Sequence, residues 1–328
     1  MNQIIDRDYK KGLWIFLVFF IIFLILNILI GIYFYEFALY HQIIDILIPC
    51  LLFLIITRKP ILSTLKLNKK VNKKSIIIIF QLFLISFLLK IGINYLVMLT
   101  GTIDPSEVTT QVIEMVPNLF TFFIAVAIIP VFLEEVIIRG IILNYFKNTN
   151  IWQAAVITGL LFGMMHVDLG QFGYTTVLGI IMAAIVIITG SLWGSILFHF
   201  LNNFLTFIFI VILQAIERII PNEYIELLAQ TDNTQVIAEN SIPEQIMGIV
   251  FALLCLGVGV FLSIHFIKKL QKANPIEEVL MDKLDDTEIQ VEENKEITVL
   301  VSWKALFLNA PFVFIVVIYI GMNLLIRL

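Results

Sequence analysis

NLFTFFIAVAIIPVFLEEVIIRGIILNYF, residues 118–146, decides how this chain is read. The run is long enough to cross a bilayer, which takes about 20 mostly apolar residues. It nevertheless carries Glu134, Glu135 and Arg139 within its apolar length. An ionisable group at the centre of a spanning helix costs roughly 2.5–3.5 kcal/mol on insertion scales, so three of them cost about 8–10 kcal/mol before any pairing. Groups that costly inside a membrane segment are there for a function or for one another.

Working outward, similar apolar runs recur at about 13–35, 41–57, 75–99, 152–167, 173–190, 192–213, 246–267 and 305–326. The expected fold is therefore an all-α polytopic membrane protein with about nine transmembrane helices. The second and fifth runs are short and the sixth and seventh nearly touch, so eight is the nearest alternative. Composition agrees: 60% of residues are hydrophobic and 14% charged, against about 45–50% and 25% in soluble domains. The run at 13–35 follows Lys10 and Lys11, but it is too long for a signal-peptide core and lacks a small-residue cleavage site, so it is read as a retained span. A net charge of −4, evenly spread, excludes nucleic acid as a partner. Cys50 and Cys255 fall in apolar runs and are read as buried thiols, with no disulfide framework.

Orientation follows from lysine and arginine. With nine alternating helices and a cytoplasmic N-terminus, the inside segments hold all of these residues except Lys90 and Arg139, within spans, and Arg218 and Arg327, outside. That bias satisfies the positive-inside rule. The expected organisation is three-part: residues 1–117 are N-terminal transmembrane helices with a basic cytoplasmic loop at 58–74, and 118–213 are core helices. Residues 214–328 hold an external loop, two further helices and a mixed-charge cytoplasmic segment at 268–304. The loop at 58–74 is basic without an acid; it suits the anionic lipid of a cytoplasmic leaflet, although the positive-inside rule alone explains it. The expected location is the plasma membrane.

Helical spacing divides the polar groups. Glu135 and Arg139 are i, i+4 neighbours and can pair along one face. Glu134 lies about 100° around the helix, leaving it free to meet a partner on another helix as a general base. The alternative is that all three form one buried ion-pair cluster that fixes packing. His166 and Glu134 lie equally far along the chain from a turn near residue 150, so an antiparallel hairpin brings them to one depth. Phe162, at i−4, lies beneath the His166 ring. His199 and Asn203 are again i, i+4 and share a face, suited to metal ligation or to donating hydrogen bonds to an oxyanion; Asn202 points away. His199 is close to the turn at 190–191, so its level with His166 requires that turn to dip into the bilayer or the helices to tilt. His41 and His265 are read as interfacial.

Three segments, Glu134-Glu135-x-x-x-Arg139, Phe162-x-x-x-His166 and His199-x-x-x-Asn203, resemble in that order the signature of the CPBP family. These intramembrane proteases are also called the Abi or type II CAAX prenyl endopeptidase family. Thr189-Gly190-Ser191-Leu192-Trp193 resembles the family's approach to its first histidine of the third motif, and the likeness covers roughly residues 118–207. The resemblance implies hydrolysis of a peptide bond in a membrane-associated peptide or lipoprotein-like substrate, such as a bacteriocin, a pheromone or a CAAX-like chain. Glu134 and His166 would activate water, His199 and Asn203 would bind a metal or stabilise the oxyanion, and Glu135, Arg139 and Phe162 would support them. The family's naming as metalloproteases implies zinc on His166, His199 and Glu134; a metal-free glutamate mechanism uses the same residues, and no H-E-x-x-H motif decides between the two. The competing readings are a non-catalytic regulator or scaffold on the same fold, and a proton-coupled transporter. The transporter predicts inverted repeats and interrupted helices in both halves, and neither is evident.

Overall fold

The apolar runs fold as helices because a chain in hydrocarbon must satisfy its backbone polar groups within itself. The computed structural model describes residues 2–33, 41–57, 61–100, 118–147, 149–219, 242–275 and 301–326. Residues 101–117, most of the external loop (220–241) and most of the mixed-charge segment (276–300) lie outside the described residues.

Nine principal helices follow one another among the described residues. They are α1 (Asn2–Tyr33), α2 (Leu47–Thr57, after a single turn at His41–Asp45), α3 (Lys73–Met98), α4 (Leu119–Phe146), α5 (Ile151–Met165), α6 (Leu169–Thr189), α7 (Leu192–Ile219), α8 (Ile242–Ala273) and α9 (Ala310–Ile326). Six are long and apolar enough to cross a membrane, and the second, fifth and ninth are shorter apolar helices. The chain is an all-α, multi-pass membrane protein, and each expected span has its helix.

Local chemistry sets the boundaries. Asn72, Asn118, Asn150 and Asp168 cap α3, α4, α5 and α6, each side chain accepting from a backbone N–H of the first turn at 2.7–2.9 Å. Such caps satisfy donors that the helix itself leaves orphaned. Gly190 ends α6 in the left-handed region, at φ +67°, which a residue without Cβ adopts at no steric cost.

The core hairpin α5–α6 packs backbone to backbone. A Cβ on Gly159 would stand 2.6 Å from Ile180 Cγ1 and 2.9 Å from the Thr176 carbonyl, and one on Gly179 would stand 2.9 Å from Gly159 Cα. Small residues of this kind let helices approach closely in lipid, where no hydrophobic effect drives them together. The flanks are tied to the core and to each other. A Cβ on Gly92 of α3 would stand 2.6 Å from Leu256 of α8, and Ser86 of α3 donates to Asn202 of α7 at 3.1 Å. Asn202 does point away from the His199–Asn203 face.

α4 departs from the regular helix that its spacing predicts. Its α-helical stretches, Leu119–Phe123 and Ile129–Glu135, alternate with π-helical turns at Ile124–Ile128 and Val136–Ile141, and Ile142–Phe146 is a 3-10 turn. π turns are rare and cluster at functional sites.

Candidate active site

The largest fully buried side chain is Arg139 on α4. Its Nη1 donates to Glu135 Oε1 at 2.9 Å and its Nη2 to the Gly179 carbonyl of α6 at 3.2 Å. The close α5–α6 packing around Gly159 and Gly179 opens that carbonyl to the guanidinium. The Phe162 ring covers the other face of the cation at 4.3 Å, a desolvated cation–π contact. The i, i+4 ion pair expected from spacing is present.

Glu135 does more than brace its own helix. The same Oε1 accepts from His199 Nδ1 of α7 at 3.1 Å. A carboxylate only accepts, so Nδ1 carries a proton; in the neutral imidazole Nε2 then keeps its lone pair. His199 Nε2 faces Glu134 Oε2 at 3.8 Å, too far for a direct hydrogen bond. Glu134 Oε2 is buried with no hydrogen-bond partner in the protein. Glu135 Oε2 and Arg139 Nε in the same cluster are also without a partner; buried groups left in that state call for a reason, a catalytic role or a bound water among them. His199 thus stands between two adjacent glutamates, one fixing its tautomer and one opposite its bare nitrogen.

Phe162 is the hub of the site. Its ring meets His166 edge-on at 4.9 Å and His199 edge-on at 5.7 Å, so the two histidines reach one neighbourhood through it. His166 Nδ1 donates to the Phe162 carbonyl at 2.9 Å, which leaves Nε2 as the acceptor. The ring is half-buried at the end of α5. Val167, next in the chain, holds φ +53°, a conformation that strains a β-branched residue. Asp168 caps α6 directly after it, so the strain sits in the link that turns the chain from His166 into the next helix.

The polar contact that Glu134 makes is with His199, and Phe162 lies edge-on to both His199 and His166. His166, His199 and Glu134 are donors of the kinds that zinc takes; among the described residues no group of three His, Cys, Asp or Glu side chains is drawn together as a metal site would be.

Asn203 Nδ2 donates to the Val126 carbonyl of α4 at 3.0 Å. Pro130, four residues beyond Val126, has no N–H to offer that carbonyl. Asn203 supplies the missing donor from α7 with one of its two amide protons. The turn before His199, which had to dip or tilt, is supported by the basic segment between α2 and α3. Leu192 N donates to the Lys66 carbonyl at 3.1 Å, Trp193 Nε1 to the Leu67 carbonyl at 3.0 Å, and Ser191 Oγ to the Lys69 carbonyl.

Sequence reasoning missed three contributors. Gly179 offers only a backbone carbonyl, Ser195 lies one turn before His199 beside Glu135, and Leu65–Lys69 act through backbone. Ser195, at i−4 from His199 on the same face, was the only one with a visible signal. Asp45, buried beside α1 and accepting from Asn27 Nδ2 at 3.3 Å, is a further intramembrane carboxylate in the second apolar run.

Comparison with known proteins converges on these helices. Residues 116–205 match the family described as Type II CAAX prenyl endopeptidase Rce1-like. A Bacillus subtilis (strain 168) protein named "Putative membrane peptidase YdiL" is 28% identical over 119 residues, covering 36% of this chain and 48% of its own length. The chain thus spans about half the length of the curated relative it matches. No solved structure matches. The matched region contains every residue of the three motifs.

Proposed function

We propose that the protein, whose residues 116–205 match the family described as Type II CAAX prenyl endopeptidase Rce1-like, is an endopeptidase of the plasma membrane, cutting a membrane-associated peptide. The observation that carries this reading is the buried Glu134 Oε2, unpartnered and 3.8 Å from a His199 nitrogen whose tautomer Glu135 fixes.

A separation of that size suits one bridging water. The water gives one hydrogen bond to Glu134 and the other to His199 Nε2, and its lone pair meets the scissile carbonyl carbon. As the C–O bond forms, the proton moves to Glu134. The oxyanion accepts from the second amide proton of Asn203, for which the described residues provide no acceptor. Glu134 then returns the proton to the leaving amine as the C–N bond breaks, so one carboxyl serves as base and then acid. His166, half-buried at the open side of Phe162, meets the substrate. Arg139 and Glu135 hold His199 in register and do not touch the reacting atoms.

The test uses the purified chain in detergent with a short, membrane-associated peptide precursor, products being mapped by mass spectrometry. Glu134→Gln is expected to lower cleavage by about 10²–10⁴-fold, the usual contribution of a general base. Undiminished cleavage by that variant would falsify the assignment. A cellular phenotype that survives Glu134→Gln would instead favour the scaffold reading. Chelation is expected to leave cleavage intact, because the mechanism requires no metal; loss on chelation and recovery with zinc would recruit His166 as a ligand.

A further inference from the structure

Away from the motif residues, a cavity of about 470 Å³ opens where the basic ends of α1 and α4 meet. Lys11 and Asp8 of α1, Lys147 just past α4, and Ser63 and Thr64 line it with Asn144 and Tyr145. Its walls are built. Asn144 Nδ2 donates to the Thr64 carbonyl at 2.8 Å and to the Gly140 carbonyl at 2.5 Å. A Cβ on Gly12 would stand 2.6 Å from Tyr145 Cβ, and one on Gly140 would stand 2.7 Å from Leu65 Cδ2.

The lining has the chemistry of a phosphate-bearing headgroup. Lys11 and Lys147 are exposed cations, and neither makes an ion pair with another described residue. Asp8 lines the same cavity and suits a hydroxyl or ammonium attached to the phosphate. Position selects a lipid over a free anion. Trp14 and Val18 lie at i+3 and i+7 from Lys11, on the same face of α1, and both are exposed. A headgroup held at Lys11 would lay its acyl chain along that stripe. Basic pockets at the cytoplasmic ends of membrane helices bind headgroups in this way.

We infer that this cavity binds one phospholipid through its headgroup, with Lys11 and Lys147 taking the phosphate and Asp8 the polar group beyond it. The inference is independent of the peptidase reading. Its place matters to the site, because the pocket wall is the 3-10 end of the helix that carries Glu134, Glu135 and Arg139.

The full chain is reconstituted in nanodiscs of phosphatidylcholine with a minor fraction of phosphatidylglycerol, then released for native mass spectrometry. Wild type is expected to retain one phosphatidylglycerol in preference to phosphatidylcholine. Lys11→Gln/Lys147→Gln is expected to lower that retention roughly ten- to thirty-fold, the scale of two lysines at an anionic surface. Lys74→Gln/Lys304→Gln, two exposed lysines outside the pocket, removes equal charge and is expected to keep the lipid. Absence of preference in wild type, equal loss in both pairs, or displacement of the lipid by inorganic phosphate each overturns the inference.

Discussion

α4 and the α5–α6 hairpin share the site but obey different geometry. The hairpin is regular, sealed by Gly159 and Gly179, and its residue spacing reads directly as position: Phe162 lies beneath His166. α4 changes helical form four times between Leu119 and Phe146, and there spacing reads the nearest neighbours: its i, i+4 pair forms as expected. A regular helix is a ruler; an irregular one only reports its nearest neighbours.

The largest effect should come from breaking the buried charge on α4. Arg139→Met leaves Glu135 buried beside a histidine without its guanidinium, and is expected to destabilise by about 3–5 kcal/mol. Thermal unfolding in detergent measures this, and Glu135→Gln added to Arg139→Met should recover part of the loss. Full stability of the single variant would mean that water reaches the pair.

The hairpin should respond to volume instead. Gly159→Ala drives a methyl into Ile180 and the Thr176 carbonyl, with an expected loss of about 1–3 kcal/mol. Gly257→Ala, where a Cβ meets nothing within 4 Å, should be neutral or slightly stabilising. If both variants behave alike, the close approach of α5 and α6 is not a constraint.

Asn203→Ala removes the donor from the Val126 carbonyl and the proposed oxyanion contact. Its expected stability loss is about 0.5–1.5 kcal/mol, the net worth of one hydrogen bond, while cleavage should fall much further. A drop in stability without a drop in turnover would confine Asn203 to bracing. The smallest effect is expected at Val167→Gly. Releasing a left-handed β-branched residue should gain roughly 1 kcal/mol while loosening His166, so that KM for the peptide rises more than kcat falls.

The helices were legible because hydrocarbon accepts few alternatives to an apolar helix of bilayer length, and each apolar run became one. The motif residues were legible for the same reason: a charge in such a run announces itself. The partners were not. Glu134 facing His199 is a contact between α4 and α7, which spacing within one helix does not specify. The supports of the turn before His199 are backbone carbonyls of Lys66, Leu67 and Lys69, and a carbonyl leaves no mark in the identity of its residue. The basic loop at 58–74 holds no motif residue, yet its backbone carries the start of α7.

The bond from Asn203 to Val126 has a consequence for how this chain can vary. Pro130 creates the need that Asn203 meets, so position 203 is not free to drift while the proline stands. Replacing the proline by alanine returns an N–H to α4 and makes the asparagine redundant as a brace; replacing the asparagine first strands the carbonyl. The order in which two such substitutions are accepted therefore matters, and a descendant sequence should reach the pair through position 130 before position 203.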